Sequence, residues 1–243
     1  MNTSVMTTRA SQTSPQLYAR VAGILYLSLA ILAPFSNFYV LGRLIVPGDA
    51  AATARNITAN EMLFRSGIIS FIIASLIDVA LAWALYIILK PVNKNLSLLA
   101  AWLRLGYAII FAAAVQNLLS ALQLLSGIRY LSAFQTSQLD AQAMQFLAAF
   151  NTSWDIALVV FGLHLVLVGY LIFRSSFIPG VFGILLLIAG LGYLVQSFAI
   201  FLFPDFSLSL VLFTGWGELV FPLWLVIKGV NVERWEKRAR EVA

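Results

Sequence analysis

Long apolar runs separated by short polar stretches set the pattern of this chain. They cover about residues 17–40, 61–89, 96–125, 152–173, 179–203 and 207–229. At 1.5 Å per residue each can cross a hydrocarbon core about 30 Å thick. None alternates with period two, so no strands are expected. The pattern predicts an all-α polytopic membrane bundle of six transmembrane helices. Pro34 should kink the first span. Thr58-Ala-Asn-Glu61 has the form of a capping box for the second. Pro179 suits the first turn of the fifth, and Pro204-Asp205 precedes the sixth. The first run is too long for a signal-peptide core and lacks a small-residue cleavage site after it, so it is read as retained.

Short basic links, Lys90-Pro-Val-Asn-Lys94 and Arg174-Ser-Ser, follow the second and fourth spans. Longer segments, 41–60 and 126–151, follow the first and third. Gly48-Asp49 should cap a short helix over Ala50–Ile57. Ser137-Gln-Leu-Asp140 is a second capping box, and Leu139, Ala143, Phe146 and Phe150 then mark one face of an amphipathic helix. Both segments are expected on the outer interface, either packed there or forming a lid.

Composition narrows the class. The chain is 61% hydrophobic and 10% charged over 243 residues, with no Cys and a single His. A soluble domain carries about 25% charge, and a chain this short cannot hide several all-apolar helices in a water-soluble core. Disulfides, thiolate sites and multi-histidine metal or haem centres are excluded, and no cofactor or metal is expected.

The formal charge of +5 follows from topology rather than from a nucleic-acid partner. Ten Lys/Arg fall on the side of the termini and the basic links, against four on the other. The positive-inside rule then puts both termini in the cytoplasm. The expected layout is a disordered arm over 1–16, a transmembrane domain over 17–230 and a basic tail over 231–243 lying against anionic headgroups. Val21-Ala-Gly-Ile-Leu-Tyr-Leu against Val181-Phe-Gly-Ile-Leu-Leu-Leu, and Asp78-Val-Ala-Leu against Asp155-Ile-Ala-Leu, suggest three helical-hairpin repeats.

Four ionisable residues share one depth. Asp78, Arg104, His164 and Glu218 each lie 10 to 12 residues from Lys90, Lys94, Arg174 or Lys228. That is roughly 15–18 Å, the middle of the bilayer core. Asp78 and Arg104 sit on consecutive antiparallel spans with small-residue faces, and are natural partners. They either lock one hairpin or present Arg104 to an anionic group. Glu218 lies in Thr214-Gly-Trp-Gly-Glu-Leu-Val-Phe-Pro222, where glycines and a proline weaken the helix. It is either a neutral acid at a structural kink or part of a substrate or ion site. His164 lies at the same depth and either packs or relays protons with Glu218. Asp155 is read as a cap at the outer start of the fourth span, within Thr152-Ser-Trp-Asp155. Asn37, Gln116, Asn117 and Gln196 fall in the outer half as candidate vestibule residues.

The soluble-enzyme signatures G-x-S-x-G, Walker loop, dinucleotide fingerprint and H-E-x-x-H are absent. The leading expectation is a small-molecule transporter or ligand-binding membrane protein, with Asp78 and Arg104 anchoring substrate and Glu218 and His164 coupling protons. An intramembrane enzyme acting on a lipid, with Glu218 or His164 as general base, is the second. A structural or sensory partner with dry packing at mid-depth is the third. A hollow at that depth discriminates among them.

The stretch Leu44-Ile-Val-Pro-Gly-Asp-Ala-Ala-Ala-Thr-Ala-Arg-Asn-Ile57 resembles a family of small bacterial membrane proteins known as a domain of unknown function. So do Glu61-Met-Leu-Phe-Arg65, Asp78-Val-Ala-Leu-Ala and Leu89-Lys-Pro-Val-Asn-Lys-Asn-Leu-Ser-Leu-Leu99. The resemblance implies a multi-pass protein of the bacterial inner membrane and carries over no site residue.

Overall fold

The computed structural model describes residues 14–203, 206 and 209–242. The amino arm up to residue 13 and Pro204-Asp205 lie outside the described residues. In chain order the helices are α1 (Pro15–Leu44), α2 (Ala50–Ala59), α3 (Glu61–Leu89), α4 (Lys94–Leu124) and α5 (Thr136–Arg174). Then follow α6 (Gly180–Leu202), the short α7 (Val211–Thr214), α8 (Gly217–Ile227) and α9 (Val232–Val242). No strand occurs among the described residues. Helices α1, α3, α4, α5 and α6 are each long and apolar enough to cross a membrane. Val211–Ile227 together with α9, bent by 100°, makes a sixth if the pair is one span.

Proline 34 does more than kink its helix. Its missing N–H leaves the i–4 carbonyl without a partner, and the chain responds with a π-helical stretch, Phe35–Leu41. Here α1 is tied to α3 by two hydroxyls: Ser36 donates to the Gly67 carbonyl (3.0 Å) and Ser70 to the Leu32 carbonyl (3.1 Å).

Three capping expectations are corrected. Thr152-Ser-Trp-Asp155 starts nothing: it lies inside α5, which runs unbroken for 39 residues. Amphipathic helix and fourth span have fused, because Ala143, Leu147 and Phe150 are buried against the outer halves of α3 and α4. At about 58 Å the fused helix overruns a bilayer core. Its cap also differs from Ser137-Gln-Leu-Asp140: the Gln138 side chain accepts from the Gln135 N–H at 3.0 Å. Thr58 likewise caps nothing; its hydroxyl donates back to the Ala54 carbonyl, and α3 begins with a Glu61–Arg65 ion pair. Asp49 does cap α2, accepting from the Ala52 N–H at 2.8 Å.

The bundle closes through glycines. On α5 and α6, Gly162 faces Gly190 and Gly169 faces Gly183, so close that a Cβ on any of them would lie under 3.0 Å from the partner's backbone. Small residues allow this approach in lipid, where dispersion and packing hold helices together. Gly23 plays the same part between α1 and α8: a Cβ there would meet the Pro222 carbonyl at 2.8 Å.

The basic tail docks on the protein. Trp235 donates from Nε1 to the Ile88 carbonyl (2.8 Å), and Arg234 donates to the Ser176 carbonyl (3.1 Å). The Val92 N–H, which would have served Ile88, bonds Leu89 instead. Trp235→Phe keeps the ring contact but strands that carbonyl. It is expected to destabilise the protein by about 1 kcal/mol in thermal unfolding.

Candidate functional site

Arg104 is the hub of the mid-depth layer. It is 1% exposed, and donates from Nε and Nη2 to Asp78 Oδ1 at 2.9 and 2.7 Å. From Nη1 it donates to the Tyr26 hydroxyl at 3.0 Å and meets His164 Nε2 at 3.0 Å. The rings of Tyr26 and Phe161 cover it at 4.7 and 5.5 Å from guanidinium carbon to centroid. One side chain thus braces α1, α3, α4 and α5.

The brace fixes the state of His164. A guanidinium has donors only, so Nε2 must accept. Nδ1 then carries the hydrogen and donates to the Ala100 carbonyl at 2.8 Å. The imidazole is neutral and 0% exposed, with both nitrogens in use. Its partner is Arg104 rather than the expected Glu218. Asp78 and Arg104 do pair as the depth count predicts, while Tyr26 is a member that sequence reasoning missed. Its signal was a hydroxyl-bearing ring on the small face formed with Ala19 and Ala22.

Glu218 stands apart from the brace. At the glycines the helix is interrupted for two residues whose backbone stays helical: α7 ends at Thr214, and α8 starts at Gly217 with Glu218 in its first turn. Glu218 has no ion-pair partner among the described residues, and Tyr193 of α6 shares its chamber. It faces a chamber of about 490 Å3 whose walls include Tyr26, Asp78, Arg104, Tyr107, Trp154 and Tyr193. The mid-depth layer is therefore hollow on one side.

The chamber opens sideways. Helices α1 and α8 meet at Gly23 and Pro222, and the gap lies between them on the side of that contact away from the termini. Leu29, Ala33 and Asn37 line one flank of the gap, and Leu212, Gly215 and Leu219 the other. At the mouth Phe38, Leu212 and Trp216 are 69, 66 and 63% exposed. Three large apolar side chains exposed together suit lipid rather than water.

Of the four outer polar residues, only Asn37 reaches this chamber. Gln116 is exposed on the far face of α4. Asn117 donates to its own helix at Ala114, and Gln196 accepts from the Val211 N–H, holding α7 to α6. Neither outer segment lines the chamber. Instead α2 packs on α5, so no lid covers the mouth among the described residues. Among those residues no cluster of three metal-ligating side chains occurs. A crevice of about 610 Å3 lies away from this layer, at the inner end beside Ser176, Trp224, Lys228 and Arg234.

Sequence comparison reaches the same scaffold. Residues 21–229 match the profile of a domain of unknown function, DUF4386, a span that takes in every chamber residue. An uncharacterized protein of Archaeoglobus fulgidus is 31% identical over 162 residues, covering 67% of this chain and 83% of its own length. No solved structure matches the chain.

Proposed function

The chain belongs to the DUF4386 family, a domain of unknown function, and we propose its role from the chamber: it binds a small lipophilic molecule from the outer leaflet and moves it across the membrane. The observation that carries this reading is the mid-depth hollow, open sideways between α1 and the α7–α8 segment past exposed apolar side chains. A volume of about 490 Å3, mostly aromatic and apolar walls and a few convergent polar groups are the usual properties of a small-molecule site.

The residue roles are redistributed relative to the sequence expectation. Four of the five N–H donors of Arg104 are taken by Asp78, Tyr26 and His164, which makes it scaffold rather than anion anchor. His164 has no free nitrogen with which to relay a proton. Glu218 is left as the reactive polar group. The excess of Lys/Arg around the termini and basic links supports cytoplasmic termini in a cytoplasmic membrane.

Purified protein is expected to melt several degrees higher with one or more members of a panel of lipophilic small molecules, and proteoliposomes to take up the same compounds. Ala33→Trp, which puts an indole into the gap, should abolish the ligand-dependent shift and leave the unliganded melting temperature within about 2 °C. A broad panel giving no shift and no flux would count against the reading.

The sideways opening also favours a second reading, a lipid-modifying enzyme with Glu218 as general base. Conversion of a lipid by the reconstituted protein, lost in Glu218→Gln, is the result that would support it over transport.

A further inference from the structure

We propose that the occupant of the chamber is a lipophilic organic cation, held by Glu218 and a cage of aromatic faces. The proposal rests on the binding role argued above and adds the sign of the ligand's charge.

Three observations carry it. First, the charges facing the chamber do not cancel. Asp78 and Arg104 neutralise each other at 2.7 Å, and among the described residues the walls contain no other Lys or Arg. Ionised Glu218 is then the uncompensated charge, in a space where water is scarce and opposite charges attract strongly. Second, the surrounding rings include Tyr26, Tyr107, Trp154, Phe161, Tyr193 and Trp216. Each ring face carries the negative end of a quadrupole, and such cages bind quaternary cations. The chamber already uses this chemistry once: two of these rings, Tyr26 and Phe161, cover the Arg104 guanidinium. Third, access is through apolar side chains at the mouth, so the ligand must partition into lipid before it binds. A delocalised or shielded cation meets all three conditions; a small hydrated amine or metal ion fails the third.

An anion is disfavoured by the same geometry. The guanidinium has its forks on Asp78, Tyr26 and His164 and its faces under rings, which leaves no donor pair for a carboxylate or phosphate.

The test uses three probes of similar shape and different charge: tetraphenylphosphonium, tetraphenylborate and neutral triphenylphosphine oxide. Binding to the purified full chain is read by titration calorimetry and by quenching of its tryptophan fluorescence. Tetraphenylphosphonium should bind at least tenfold tighter than the neutral probe, with no binding of tetraphenylborate. Glu218→Gln should bring the cation down to the affinity of the neutral probe, and Glu218→Asp should restore part of the difference. Equal binding of cation and neutral probe, preference for the anion, or an unchanged affinity in Glu218→Gln would overturn the charge assignment while leaving a binding chamber in place. Binding of none of the three would overturn both. The comparison of probes on the unaltered protein stands even if a Glu218 variant fails to fold.

Discussion

Arg104→Ala should leave almost no folded protein. The substitution strands a carboxylate that is 3% exposed, together with the Tyr26 hydroxyl and the acceptor nitrogen of His164. Removing one partner of a buried ion pair costs about 3–5 kcal/mol, against a total stability of about 5–15 kcal/mol. The stranded acceptors add to that, because they have no second donor among the described residues. Detergent extracts run on fluorescence-detected size exclusion should show aggregate in place of the monodisperse peak. Asp78→Asn/Arg104→Gln should recover the peak, since both charges leave together. Recovery should be partial, because the shorter glutamine side chain on α4 cannot serve the new amide on α3, the Tyr26 hydroxyl and His164 at once. Full recovery would reduce the hub to a simple pair, and a single mutant melting near the parent would remove it from the account of stability.

The extent of that brace marks where the sequence stopped being readable. Asp78 and Arg104 were legible because consecutive antiparallel helices joined by a tight link must be neighbours, and equal depth then sets the register. Tyr26 and His164 sit on α1 and α5, whose adjacency is a property of the whole bundle. Depth alone put His164 with Glu218. The break at Glu218 was legible since glycine and proline act locally on the backbone. The start of α5 was not: Thr152 and Asp155 have the right spacing for a cap, yet Phe150 and Trp154 pack among Phe71 and Phe111, and burial carries the helix through. The chamber's aromatic wall was hidden for a related reason. In an apolar helix a ring lining a hollow and a ring in a packed core have the same surroundings in sequence, and only the absence of a neighbour distinguishes them.

Gly183→Ala should be the most damaging single methyl in the protein. A Cβ at that position would lie 2.5 Å from the Phe173 nitrogen and 2.6 Å from the Gly169 carbonyl oxygen. Both are backbone atoms of α5, so no rotamer change relieves the clash, and α6 must move away as a unit. Overpacking of this kind costs about 1–3 kcal/mol, and the paired glycines at 162 and 190 lose their contact as well, since the two close approaches share one helix pair. Alanine is the better helix former by about 0.5–1 kcal/mol, which works against the effect and makes it a stringent test. Gly106→Ala is the matched control: its Cβ would meet only Val160, at 3.7 Å, so the propensity gain should appear alone and raise the melting temperature. The prediction is thus a difference in sign between two identical substitutions, read by thermal unfolding in one detergent. It bears on the chamber too, because α6 carries Tyr193 and α5 carries Trp154 and Phe161. A displaced α6 widens the aromatic cage and draws Tyr193 away from Glu218, so Gly183→Ala should weaken ligand binding in whatever fraction folds, whereas Gly106→Ala should leave it alone. If both variants gained stability, the close glycine contact would not be what sets the distance between α5 and α6.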